Sequence, residues 1–270
     1  MYVGPGRTFG VIHVGTSGWQ YRSWREPFYE KRPQRSWLPH YASVFSTVEV
    51  NNSFYMLPKE STFERWRDET PDGFAFAVKA SRYITHIRRL REARDSVGLF
   101  WSRAKILAAK LGPVLFQLPP NFVADVPLLR DFLTFLPAGI KAAFEFRDDS
   151  WTRDDVFEAL DERGAAWVLA DRPGRRVPAV VTGGWSYVRF HQGRPAHPSY
   201  SRPKLRAWAD RMAGLETAEQ WAFFNNDELA AAPADALALR RMLAERGCEV
   251  SEPARRQSAP SGSDLALKGR

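Results

Sequence analysis

Cysteine is almost missing from this chain of 270 residues: Cys248 stands alone, so no internal disulfide can form and no thiolate cluster can hold a metal. A lone thiol suits a reducing compartment, and a cytoplasmic protein is expected. Long apolar runs are missing too. The longest are strand-sized, far short of the ~20 residues that cross a bilayer, so no membrane role is expected. The opening MYVGPGRTFG lacks the charged head, apolar middle and small-residue cleavage site of a signal peptide. Histidine is scarce, at five, and no H-E-x-x-H or paired-histidine spacing occurs. After the first apolar stretch, GTSGWQ is neither G-x-G-x-x-G nor a P-loop, and no Gly-x-Ser-x-Gly elbow surrounds Ser17. Acidic residues are the minority charge, 31 against 39 basic, for a net +8. In the last twenty residues Arg255, Arg256, Lys268 and Arg270 outweigh only Glu252 and Asp264, so most of the surplus belongs to the folded part. Such a balance favours anionic partners, a small molecule or nucleic acid, although Arg-rich proteins with no nucleic-acid role share it.

What the chain does have is a regular alternation of two periodicities. Short runs with strand character lie at 11–16 (VIHVGT), 47–50 (TVEV), 74–79 (FAFAVK), 113–118 (PVLFQL), 141–147 (KAAFEFR), 166–171 (AWVLAD), 185–191 (WSYVRFH) and 220–225 (QWAFFN). Between them run helical stripes. Leu38, Tyr41, Ala42 and Phe45 mark 36–45, and Ser61 with Glu64 has capping-box spacing ahead of Trp66. An apolar stripe from Val97 to Leu111 should stop at Gly112. Residues 126–136 are helical, Thr152 and Asp155 can cap a helix to Gly164, 203–213 is amphipathic, and a final helix reaches a Gly247 stop. Residues 52–55 (NSFY) read as a ligand-facing loop.

Parallel neighbours need helical crossovers, so eight strands alternating with about eight helices predict an α/β fold, a single (β/α)8 TIM-type barrel with a parallel sheet. The chain also fits the roughly 250 residues typical of that barrel. The expected organisation is an N-terminal extension over 1–10, a barrel domain over 11–249 and a flexible basic tail over 250–270. In such a barrel the chemistry sits at the C-terminal ends of the strands. There the sequence places Thr16 and Ser17, Glu49 with Asn51 and Asn52, Lys79, Gln117, Glu145 with Arg147, Asp171, Arg189 with His191, and Asn225, Asn226 and Asp227. The opposite ends, such as Val11, Phe74 and Val114, read as mostly apolar.

The segments GTSGWQYRSWREPFY, FSTVEVNNSFYMLP, FAVKASRYITH, GPVLFQLPPNF, FEFRDDSW, YVRFHQG and FFNND resemble the YecE-like family, also called domain of unknown function seventy-two. The resemblance runs from about Val11 to about Leu243 and implies a (β/α)8-type barrel. It implies no reaction, because the family has none established. One departure is visible: where the family reads Arg-Leu-His-Gly, this chain has Arg189-Phe190-His191-Gln192-Gly193.

Four readings of the polar ring compete. In the first, an enzyme of the hydrolase class takes a phosphate-bearing substrate. Lys79, Arg147, Arg189 and Arg82 would hold the anion, and Glu49, Glu145, Asp171, His86 and His191 would form the acid/base pool. Asn51, Gln117, Trp19, Tyr21, Tyr55, Asn226 and Asp227 are further candidate substrate contacts. In the second, Glu145, Asp171, His191 and Asp227 hold a divalent metal. The cations nearby oppose this, so no cofactor is predicted and the metal is a minor alternative. In the third, Glu49 and Glu145 act as a glycosidase pair with Trp19, Tyr21, Trp24, Tyr55 and Trp151 as a sugar platform. The fourth is a non-catalytic binder of a nucleotide or nucleic acid. Alongside all of these, Glu49, Glu145, Lys79, Arg147 and Arg189 can neutralise one another as a buried ion network.

Overall fold

In the computed structural model, which describes residues 10–175, 178, 180–191 and 197–254, the eight apolar runs are eight parallel strands. They are β1 (Val11–Thr16), β2 (Thr47–Val50), β3 (Ala75–Lys79), β4 (Leu111–Gln117), β5 (Ala142–Glu145), β6 (Ala166–Asp171), β7 (Ser186–Phe190) and β8 (Glu219–Phe224). The helices that carry the chain back are α1 (Trp37–Ala42), α2 (Asn52–Tyr55), α3 (Glu60–Asp68), α4 (Arg94–Ala104), α5 (Val126–Thr134), α6 (Asp154–Asp161), α7 (Arg202–Ala213) and α8 (Ala231–Ala244). The strand order β1-β8-β7-β6-β5-β4-β3-β2 makes the expected (β/α)8 barrel, nearly closed.

Each strand is buried on both faces, so its two rows of side chains meet different partners. One row packs outward on the helices. The other fills the barrel, where Ala77, Ala143 and Ala166 on β3, β5 and β6 leave room for Trp185, Tyr187, Trp221 and Phe223 on β7, on β8 and just before β7.

No ladder joins β1 to β2 among the described residues, yet the two strands touch. At Gly15 a Cβ would stand only 2.3 Å from the Thr47 carbonyl oxygen. The seam is closed instead by a side chain. The buried Tyr41 hydroxyl of α1 accepts the Thr16 N–H at 3.0 Å and donates to the Thr47 carbonyl at 3.1 Å, and Asn51 Nδ2 donates across the same gap to the Ser17 carbonyl. Tyr41→Phe removes that bridge without changing the packing volume. Urea denaturation should show a loss of about 2 kcal/mol with an unchanged m-value, the cost of leaving buried backbone groups unpaired.

Several local expectations are corrected. The long stripe after Val97 is α-helical only to Ala104; it continues as a tighter turn that breaks at Ala108 (φ 51°), and Gly112 lies inside β4 rather than at a helix stop. Neither Ser61 nor Thr152 caps a helix: α3 and α6 start after Lys59 and Arg153, with no side-chain cap. The NSFY segment is the short helix α2, not a loop. The N-terminal ends of the strands are not purely apolar. There His13, stacked on Trp221, meets Glu219 at 3.2 Å, and Lys141 pairs with the same carboxylate. Burial, then the Lys141 charge, pushes His13 down to about 4.

The start of the expected tail is docked. Val250 bridges Ile12, the Ser251 N–H donates to the Ile12 carbonyl at 2.9 Å, and Glu252 pairs with Arg240. The tail beyond residue 254 and the extension before residue 10 lie outside the described residues.

Candidate functional site

The inner row of each strand climbs two residues at a time, and its last members form a polar floor: Glu49 on β2, Lys79 on β3, Gln117 on β4, Glu145 on β5 and Arg189 on β7. All five are buried. Arg189, 1% exposed, is the hub. Its Nη2 and Nε donate to the two oxygens of Glu49 at 2.7 and 2.9 Å, and its Nη1 donates to Glu145 Oε2 at 2.6 Å. Tyr187 OH donates to Glu49 at 2.7 Å. Gln117 Nε2 donates to Glu145 at 2.9 Å, and because a carboxylate only accepts, the amide's oxygen is left to receive Lys79 Nζ at 2.8 Å. Arg172, two residues past the inner-row Ala170 of β6, completes the shell of Glu145, and His191 Nε2 approaches the same carboxylate at 3.2 Å.

The electrostatics follow from this wiring. Burial alone would push the Glu49 carboxyl up, but the Arg189 guanidinium outweighs it and holds the group below its ordinary value. Glu145, with Arg189, His191 and Arg172 against it, is held well below despite its burial. Burial works against Arg189, yet the two carboxylates raise its pKa further, so it stays charged. Burial keeps His191 neutral by lowering its pKa, with Glu145 pulling the other way. Burial, then the Arg189 charge, brings Lys79 down to about 8.

Above this floor lies a cavity of about 750 Å³. Lys79, Arg147, Arg172, Arg175 and Arg189 line it with Gln117, Asn51, Asn52, Asn225, His191, Tyr21 and Tyr55; no carboxylate does so among the described residues. Glu49 and Glu145 stay beneath, both wholly enclosed. Arg175 is paired with Asp149. Setting that pair aside, four cations (Lys79, Arg147, Arg172, Arg189) face two carboxylates, so the mouth keeps two positive charges unbalanced. Part of that surplus is Arg147, whose buried Nε has no hydrogen-bond partner among the described residues.

A sequence model of the family described as "Protein of unknown function DUF72" matches residues 13–260. The chain belongs to that family. It is 27% identical over 250 residues to the UPF0759 protein YecE of Escherichia coli strain K12, covering 83% of this chain and 89% of that protein. To the UPF0759 protein YunF of Bacillus subtilis it is 32% identical over 200 residues, 67% of this chain and 70% of that one. A DUF72 family protein from Thermotoga maritima, solved by crystallography, superposes with a TM-score of 0.78 at 26% identity, covering 87% and 99% of the two chains.

In this DUF72 barrel the expected site residues divide by strand parity. Lys79, Gln117, Arg189, Asn51, Arg147, His191, Tyr21 and Tyr55 come together around the cavity, and Glu49 and Glu145 form its underside. Asp171 does not join them: one residue past Ala170, it faces the helices, with Lys204 Nζ at 3.0 Å and Trp208 Nε1 at 3.1 Å. Asn226 likewise faces outward, donating to Asp235 and the Pro198 carbonyl. Asp227 offers its backbone carbonyl to Trp24 and does not line the cavity; burial raises the pKa of its carboxyl. The four residues weighed as metal ligands are therefore not assembled, and among the described residues no group of three metal-capable side chains exists.

His86 stands beside the mouth without lining it, in contact with Thr85 and Phe54 and pushed to about 4 by burial and then by Lys79. Trp19, Trp24 and Trp151 are core residues, so of the five aromatics weighed as a sugar platform only Tyr21 and Tyr55 reach the cavity. Asn52 and Asn225, which the sequence places at the strand ends, also line the cavity, together with Arg172 and Arg175, which it does not. Counting in twos from Ala166 would have reached Arg172.

Proposed function

We propose that this protein is a barrel enzyme whose mouth takes a phosphate-bearing small molecule, with Arg147, Arg172 and Lys79 as the anion contacts. The observation that carries the reading is the cavity lined by five cationic side chains and no carboxylate, in which the buried Arg147 Nε lacks a partner. Two oxygens of a tetrahedral phosphate match the N–H fork of a guanidinium, and its charge neutralises the surplus. Arg189, which the sequence suggests as a third anion contact, is engaged by both Glu49 and Glu145, whereas Arg172 meets Glu145 alone and takes its place. Proton transfer falls to Lys79 and the neutral His191, because Glu49 and Glu145 are held ionised out of reach of a ligand. The same fact weighs against a glycosidase: neither carboxyl is poised as a general acid, and a guanidinium stands between them.

Titration calorimetry tests the reading. Inorganic phosphate and a phosphate monoester should bind saturably, the dephosphorylated compound should not, and Arg147→Gln should weaken binding about tenfold, the loss of one charge-assisted contact. Absence of saturable phosphate binding would overturn it. Release of the alcohol from monoester and diester panels separates enzyme from binder. A binder of nucleic acid would instead show affinity falling steeply with salt and no turnover.

A further inference from the structure

We infer that Lys79 is a nucleophile that forms an imine with a carbonyl compound carrying an anionic group, the arginines of the mouth holding the anion while Nζ attacks the carbonyl carbon. The half of this inference that concerns the anion rests on the phosphate reading above; the half that concerns the amine rests on the surroundings of Lys79 alone.

Elsewhere in this barrel Lys110, just ahead of β4, donates to the Arg67 and Thr70 carbonyls, while two other partly buried lysines take a carboxylate. Lys204 pairs with Asp171 at 3.0 Å, and Lys141 pairs with Glu219. Lys79 does not. It is 8% exposed and lines the cavity, yet among the described residues no carboxylate lies within salt-bridge distance of it. The two carboxylates of the floor are committed to Arg189 and Arg172. What Nζ has instead is one neutral acceptor, Gln117 Oε1 at 2.8 Å, and the Phe54 ring with its centroid 4.1 Å away. Gln117 is a positioning residue: its other end is tied to Glu145, which fixes the amide oxygen against Nζ.

An amine set so, buried beside the Arg189 guanidinium and with no carboxylate in contact, gives up its proton more readily than a free lysine: burial, then Arg189, brings it down to about 8, although Glu49 and Glu145 pull the other way. The remaining valence of Nζ is open to a ligand in the cavity.

The step balances without any oxidant. The Nζ lone pair forms the C–N bond as the carbonyl π pair moves to oxygen, a proton passes from nitrogen to that oxygen, and the carbinolamine loses water to leave C=N. The protonated imine then withdraws electrons from the neighbouring carbon, which is the use of such lysines in making or breaking bonds there. This narrows the substrate class to phosphorylated or otherwise anionic aldehydes and ketones.

Pyridoxal 5′-phosphate followed by borohydride reduction, with the labelled peptide mapped by mass spectrometry, is the test. Lys79 should be labelled about tenfold or more faster than the exposed lysines. The rate should rise with pH toward 8, inorganic phosphate should protect, and pyridoxal without its phosphate should react more slowly. Labelling spread over surface lysines with Lys79 no faster would overturn the imine, and if phosphate still binds, the anion site survives that failure. Equal labelling of Lys79 by both aldehydes with no protection by phosphate would leave the nucleophile standing and remove the anion site. Lys79→Arg keeps a cation at this position but has no amine to condense, and should lose the adduct. Should that variant fail to fold, the mapped site on the unaltered protein decides the matter.

Discussion

Arg189→Met is expected to destabilise the barrel by about 4 kcal/mol at pH 7.5, because its guanidinium bridges two carboxylates that have no access to water and is the cation paired with Glu49, Glu145 keeping Arg172 as well. Methionine fills much of the space, so the loss reports charge rather than a cavity. The dependence on pH distinguishes this from a packing defect. In the native protein both carboxyls are held below their ordinary value of 4.5, so their contribution is fully present above that pH and is lost as pH falls through the lower folded values. Without Arg189, burial dominates at Glu49 and its folded value rises above 4.5, while Glu145 keeps Arg172, so the cost of the Glu49 charge is small at low pH and grows as pH rises. The gap between variant and native protein should therefore narrow between pH 7.5 and pH 5 in urea titrations. A deficit under about 1 kcal/mol, or one that does not change with pH, would show that the charges are not mutually dependent. Arg189→Lys should fall between the two, since an ammonium cannot bridge both carboxylates in the plane of a guanidinium.

Gly15→Ala is the second large effect, at about 3 kcal/mol. The added methyl would sit 2.3 Å from the Thr47 carbonyl oxygen and 3.1 Å from its carbon, and the clash is with strand backbone rather than a side chain that can swing away. β1 and β2 must separate, which stretches the Tyr41 bridge and the Asn51 bond to the Ser17 carbonyl together. Asn51 lines the cavity, so phosphate binding should weaken along with stability. Gly98→Ala is the control: that glycine is exposed on α4 with nothing near its missing Cβ, and alanine there should stabilise by about 1 kcal/mol. Equal stability of the Gly15 variant and the native protein would mean the seam is looser than its contacts imply.

The residues of the site show which of its features could be read in advance. Period-two alternation in SYVRFH puts Tyr187, Arg189 and His191 on one face, and all three act on the same cluster. The same count in AWVLAD separates Asp171 from Ala166, Val168 and Ala170. Nothing local says which row faces inward, because a strand buried on both sides carries apolar residues in both rows. Asp171 therefore looked like a rim carboxylate, and Arg172, one residue on and in the inner row, went unnoticed. Capping spacing is likewise a local signal: Ser61 and Thr152 have it, yet α3 and α6 begin after Lys59 and Arg153.

The amino-acid sequence by itself determined the barrel, through eight strand-length runs separated by helical stripes, and it determined that polar side chains would collect at the C-terminal ends of the strands. It also determined the excess of positive charge. What only the tertiary structure decided is how those charges pair. Arg189 lies 140 residues from Glu49 in the chain and 44 from Glu145, and closing the barrel puts the guanidinium between them. Pairing is a matter of distance in space, which falls off over a few ångströms, whereas the sequence records distance along the chain. The outcome reassigns the ring: Glu49 and Glu145 belong to the foundation, and Arg147, Arg172 and Lys79 are the groups left facing a ligand.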